Sequence, residues 1–153
     1  MNVSIIGTGH VGLITGACLA ERGHQVLCVD SDERKIKLLK SRKMPIYEPG
    51  LEALVLRNLK SGRLRFGGTN ADAVAFGRIV FICVPTPPTA SGGADLSYIE
   101  SVSRDIARIP RRISLCFNAL PPRLSRESPC ARYSEECPAR GAFDLKSNFR
   151  ASG

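Results

Sequence analysis

The residues with the clearest chemical capacity open the chain: Ile5-Ile6-Gly7-Thr8-Gly9-His10-Val11-Gly12, with Asp30 eighteen positions after the last glycine. Each glycine in this spacing has a reason of its own. Gly7 permits a tight turn out of a strand, and Gly9 lets the backbone approach a pyrophosphate with no Cβ in the way. Gly12 lets a following helix pack closely on the sheet. The free N–H groups at that helix start face an anion and are aided by the helix dipole, and His10, inside the turn, can donate a hydrogen bond to the cofactor. An acid at position 30 accepts hydrogen bonds from ribose hydroxyls and repels a 2′-phosphate, which favours NAD over NADP.

A glycine turn alone is weak evidence, so the surrounding elements decide its weight. Val3 to Ile6 is an apolar run that reads as a strand, and Leu13 to Ala20 is apolar, small and free of proline, as a packed helix requires. Gln25 to Val29 reads as a second strand ending at Asp30. Ser31 and Asp32 can cap a helix running to about Arg42, which puts Lys35 close to the ribose end of the site. Met44 to Gly50, with two prolines and a glycine, is a loop. Leu51, Leu54, Val55 and Leu59 have helical spacing with a stop at Gly62. A short strand at Leu64 to Phe66 and a short helix at Ala71 to Phe76 follow.

Arg78 to Val84 is apolar after its first residue and is bounded by Pro85, as suits a parallel strand buried on both faces. The Pro85-Thr86-Pro87-Pro88 loop then falls at the carboxyl edge of the sheet, where open α/β folds bind ligands. Thr86 is the hydroxyl at that strand end and the candidate for cofactor contact there. Asp95 to Ala107 reads as a further helix, capped near Asp95 or Ser97. The expected fold is a Rossmann-like α/β domain over residues 1–109: a doubly wound, mostly parallel sheet, truncated, with an irregular basic tail over 110–153.

Composition narrows the function classes. The chain has 153 residues, 43% hydrophobic and 24% charged, ordinary for a single soluble domain. No apolar run approaches bilayer length and no basic leader precedes the first strand, so no membrane association and a cytoplasmic location are expected. The net charge of +8 is split evenly between residues 1–109 and 110–153. In the first part the charges interleave on helix-like stretches, and no aromatic platform accompanies them, so nucleic acid is not the expected partner. Of the six cysteines, Cys18, Cys28 and Cys83 are expected as small buried apolar residues. Cys116, Cys130 and Cys137 lack C-x-x-C spacing, and no metal site is expected. Neither His10 nor His24 has an evident nucleophile or carboxylate partner, and no catalytic residue is assigned.

Several longer stretches, taken together, carry a family resemblance: G-T-G-H-V-G-L-I-T-G-A-C-L-A-E-R-G-H (7–24), V-D-S-D-E-R-K-I (29–36), P-I-Y-E-P-G-L-E (45–52), F-I-C-V-P-T-P-P (81–88) and A-D-L-S-Y-I-E (94–100). From Met1 to about Ile109 the chain resembles the amino-terminal NAD domain of the UDP-glucose/GDP-mannose dehydrogenase family, with the UDP-glucose branch nearest. The resemblance implies an oxidoreductase that takes the C6 alcohol of a nucleotide sugar, UDP-glucose, to a carboxylate with NAD. It implies pyrophosphate binding by the glycine loop with Val11, ribose binding by Asp30 and Lys35, and cofactor contact by Thr86. His10 stands where the family usually has tyrosine, and Glu48 lies in a family loop with no role to assign.

The family's catalytic cysteine loop, its K-S-T-V-P-x-G-T stretch and its dimerising helical segment have no counterpart here. The family forms a dimer, but its dimerising segment is absent here, so the sequence leaves the oligomeric state open; the fragment alone is expected to be inactive. Residues 110–153 hold five prolines, seven arginines and three cysteines, with one candidate strand at Ile113 to Phe117. A genuine disordered tail and translation out of frame after a frameshift are both open; the second is preferred because it explains a match that ends in mid-motif. A stand-alone nucleotide-binding or regulatory module and a non-functional gene remnant remain the alternatives to a dehydrogenase front end.

Overall fold

The structure, a computed structural model, describes residues 1–90, 92–109 and 115–118. Strand β1 (Asn2–Ile6) leads through the glycine turn into helix α1 (His10–Glu21). Strand β2 (Gln25–Val29), helix α2 (Glu33–Lys40), helix α3 (Leu51–Lys60) and strand β3 (Leu64–Gly67) follow. Then come helix α4 (Asn70–Phe76), strand β4 (Ile79–Ile82), helix α5 (Ser97–Ala107) and strand β5 (Leu115–Asn118). The sheet order is β3-β2-β1-β4-β5, and every pairing is parallel.

Alternation along the strands divides the core between two faces. Val3 and Ile5 of β1 pack with α1, α2 and α3 through Leu13, Ala17, Ile36, Leu39 and Val55. Ile6, with Val80 and Ile82 of β4, packs on the other face against Val74, Ile99, Val102 and Ile106 of α4 and α5. One helix layer on each side makes the sheet doubly wound, as expected. Side chains on successive residues of β1 thus serve opposite layers, which fixes the register of the strand in the sheet.

Local chemistry sets the ends of the elements. Asp32 caps α2 by accepting from the N–H groups of Arg34 and Lys35. Thr69 caps α4 by accepting from the Asp72 N–H at 3.1 Å. Gly62, with φ of +72°, follows α3 at the expected stop. Helix α5 has no side-chain cap at Leu96; Asp95 instead accepts from the Ser97 N–H at 2.9 Å.

Three expectations need correction. The apolar run 79–84 is in the ladder only as far as Ile82: the Cys83 N–H still donates to the Ile6 carbonyl at 2.7 Å, but β1 then turns away at Gly7. Its two faces are also unequal: Val80 and Ile82 are buried, whereas Ile79 and Phe81 are only partly so. Cys18 is exposed, because it lies on the outer side of α1, away from the buried face formed by Leu13, Ala17 and Ala20. Cys28 and Cys83 are buried as expected. Strand β5 overlaps the strand expected at Ile113 to Phe117 and carries Cys116, while Cys130, Cys137 and the expected irregular tail from Ala119 onward lie outside the described residues.

Candidate functional site

Strand β1 pairs with β2 on one side and β4 on the other, so the sheet changes direction of growth at β1. The carboxyl ends of β1 and β4 therefore form the crevice at which open α/β sheets hold ligands. The turn between β1 and α1 occupies it. Gly7 adopts φ of +101°, and its N–H donates to the Val29 carbonyl at 2.8 Å. A Cβ at Gly7 would lie 2.5 Å from the Cys83 carbonyl oxygen, so both conformation and space demand glycine.

The three glycines of the turn differ in what surrounds them. A Cβ on Gly12 would run into the carbonyl oxygen of Gly7 and lie 3.1 Å from the Cys83 side chain. The closest helix-to-sheet approach belongs instead to Gly16, where a Cβ would come within 2.6 Å of Cys28 Sγ. Around Gly9 no atom beyond its two chain neighbours lies within 4 Å of the place a Cβ would take. The open glycine is thus the one next to the helix start, and α1 begins there with no side-chain cap. Unclaimed N–H groups, a favourable dipole and open space above Gly9 suit an anion.

Asp30 stands at the end of β2. Its Oδ2 accepts from the Thr8 N–H at 2.7 Å and from Thr8 Oγ1 at 2.8 Å, and its Oδ1 accepts from the Asp32 N–H at 2.9 Å. Burial is the largest single influence on this carboxyl and pushes its pKa up. The hydrogen bonds from Asp32 and Thr8, with the charge of Lys35, together outweigh burial and hold it below the ordinary aspartate value. Asp30 is therefore ionised at neutral pH. Lys35, half-buried in the first turn of α2, supplies the cation on that side.

His10 is the first residue of α1, and its Nε2 lies 3.1 Å from Glu48 Oε2. This corrects the expectation that no carboxylate partners it. Glu48 belongs to the loop before α3, and the two residues are far apart in sequence, so no local pattern could have announced the pair. Val11 is exposed on the same helical turn. Thr86 is half-buried in the segment following β4, on the opposite side of β1 from Asp30. Thr8, wholly buried, went unnoticed in the sequence because it occupies a free position of the glycine motif. A hydroxyl between two motif glycines, with an acid closing the next strand, is the signal that could have found it.

The thiols near the crevice are not activated. Burial pushes the Cys83 thiol up to about 11 and raises Cys28 further, so neither is a ready nucleophile at neutral pH. Among the described residues no group of three or more His, Cys, Asp or Glu side chains could hold a metal ion. Nor, among them, is any helix long and apolar enough to cross a membrane.

The sequence signature of the UDP-glucose/GDP-mannose dehydrogenase family, NAD binding domain, matches residues 1–118. The chain belongs to this family. Over 108 residues it is 50% identical to the UDP-glucose 6-dehydrogenase of Rhizobium meliloti (strain 1021), covering 70% of this chain and 25% of that protein. Over 111 residues it is 44% identical to the GDP-mannose 6-dehydrogenase of Pseudomonas putida, covering 72% and 25%. The crystal structure of a GDP-mannose dehydrogenase ternary complex from Pseudomonas aeruginosa superposes with a TM-score of 0.82 at 35% identity, covering 95% of this chain and 35% of that one. The chain thus spans about a quarter of the length of these curated relatives. NAD is the cofactor of the domain it matches. The uncapped start of α1, the open space at Gly9 and the ionised acid at the end of β2 fit that dinucleotide.

Proposed function

We propose that this chain is the NAD-binding portion of a UDP-glucose 6-dehydrogenase-type oxidoreductase, which takes UDP-glucose to UDP-glucuronate. NAD, when bound, supplies the hydride acceptor. The backbone of Gly7, Gly9, His10, Val11 and Gly12 holds the pyrophosphate at the start of α1. Asp30 and Lys35 hold the adenosine ribose, and Thr86 meets the cofactor on the β4 side of the crevice. The higher identity to the Rhizobium meliloti enzyme favours UDP-glucose over GDP-mannose as the sugar nucleotide of the whole enzyme. The chain alone binds cofactor without turnover, since no residue in it carries a catalytic assignment.

The observation that carries this reading is the ionised Asp30 at the end of β2, next to an anion-ready helix start. Calorimetric titration of the full chain with NAD and NADP tests it. Saturable NAD binding, weaker NADP binding and a loss of about tenfold or more in NAD affinity for Asp30→Ala are expected. Equal affinity for the two cofactors, or an Asp30→Ala chain that binds NAD like the parent, would overturn it.

A further inference from the structure

We propose that Thr8 is the positioning residue behind the cofactor preference of this site, holding Asp30 so that a single carboxylate lone pair is left for the ribose. The inference rests on the NAD-binding reading and deepens it. An ionised carboxylate offers about four acceptor positions. Thr8 fills two of them on Oδ2, with its N–H at 2.7 Å and its hydroxyl at 2.8 Å. The Asp32 N–H fills a third on Oδ1, at 2.9 Å. Oδ1 alone keeps an open position, so the carboxylate takes one ribose hydroxyl and not the two that an unengaged acid would accept.

Two consequences follow from this count. A ribose hydroxyl meets a carboxylate that is already fixed in orientation and needs no reordering to accept it. A 2′-phosphate meets a carboxylate that cannot turn away, because both of its oxygens are tied to the chain. Thr8 is completely buried, so no water competes for its hydroxyl. Its two donors also favour the charged form of Asp30. The other charge acting on that carboxyl is Lys35 from α2; Thr8 of the β1–α1 turn adds no charge of its own, only donors.

Thr8→Val keeps the backbone donor and the side-chain shape while removing the hydroxyl. Titrations of the full chain with NAD and NADP, from pH 4 to pH 8, read its effect. Thr8→Val is expected to weaken NAD about tenfold at neutral pH, to narrow the NAD over NADP preference and to move the acid limb of NAD binding to higher pH. Thr8→Ser, which keeps both donors, is expected to restore the parent values. A Thr8→Val chain matching the parent in affinity, preference and acid limb, while Asp30→Ala binds poorly, overturns the role of Thr8 and leaves the NAD site standing. Absent NAD binding by the parent, or no effect of Asp30→Ala, brings down the underlying reading instead.

Should Thr8→Val fail to fold, proton NMR of the parent chain from pH 8 to pH 3 follows the Thr8 amide and hydroxyl resonances through the titration of the Asp30 carboxyl. Both resonances shifting with that carboxyl supports the proposal, because both donors sit on its Oδ2. A Thr8 hydroxyl that exchanges with water and ignores the Asp30 titration contradicts it.

Discussion

His10 Nε2 and Glu48 Oε2 meet at 3.1 Å, joining the first residue of α1 to the loop that runs into α3. Both side chains are about half exposed, at 58% and 43%, so the pair adds little to global stability. Glu48→Ala should cost less than about 1 kcal/mol in urea unfolding. It should, however, speed amide exchange around residue 48, because the pair ties that part of the loop to the helix start while Met44 and Ile46 stay packed on the core. Unchanged exchange in those amides would show that the loop is held by its own turns.

Gly9 and Gly12 should separate folding from binding. Gly9 is extended, with φ of −71°, and nothing beyond its two chain neighbours lies within 4 Å of its absent Cβ. Gly9→Ala should therefore lose no more than about 1 kcal/mol of stability while weakening NAD substantially, since the added methyl intrudes only where the ligand goes. Gly12→Ala meets the Gly7 carbonyl and should cost about 1–3 kcal/mol of stability as well as binding. Thermal melts paired with NAD titrations check both. Equal melting losses would contradict the distinction.

The sheet and its helices were legible in the sequence because β1, β2 and β4 are compact and mostly apolar, β3 alternates Leu64 and Phe66 with Arg65, and the helices carry a period or a stop signal. Asp32 capping α2 and Gly62 ending α3 follow from local residue chemistry. The glycine loop and Asp30 were legible for the same reason, being close in sequence and chemically constrained. What escaped were relations between distant or uninformative positions. Thr8 sits at a motif position that accepts any residue, and Glu48 reaches His10 only through tertiary packing. Cys18 was misplaced because α1 is apolar nearly all round, which hides its outer face from a periodicity argument.

Thiol labelling should show that difference directly. In the native chain the exposed Cys18 should react with a maleimide, while Cys28 and Cys83 stay protected until the chain unfolds. Peptide mapping by mass spectrometry distinguishes the three. Fast labelling at Cys83 would mean that the crevice opens more than the packing around Gly7 and Gly12 allows.

Asn58 is a buried amide with both its donors and its carbonyl oxygen engaged. Its Nδ2 donates to Glu21 Oε2 at 2.7 Å and to the Leu54 carbonyl at 2.9 Å, and its Oδ1 accepts from Arg63 Nε at 3.2 Å. This joins the end of α1 to α3. Asn58→Ala should destabilise the domain by about 2–3 kcal/mol, leaving Arg63 and Glu21 short of a partner. NAD affinity, measured at temperatures where the variant is folded, should be unchanged because the network lies at the far end of α1 from the turn. A loss of affinity would reveal coupling along that helix.

Acid stability should carry the signature of Asp30. Its folded-state pKa is depressed, so its contribution is complete above the unfolded aspartate value of about 3.9 and is lost as pH falls through the folded value. The difference in urea midpoint between the parent and Asp30→Asn should be flat above about pH 5 and should shrink below about pH 4. A difference that grows on acidification would reverse the assigned sign.

The hydrogen bond from the Gly7 N–H to the Val29 carbonyl, at 2.8 Å, makes the ends of β1 and β2 one mechanical unit. Whatever lies over Gly9 and whatever lies against Asp30 are consequently held at a fixed spacing, as on a ruler cut to one length. Redesign toward a different cofactor therefore has to exchange the first turn and the second strand end as a block, because a new acid or base at position 30 inherits a scale set by its neighbour.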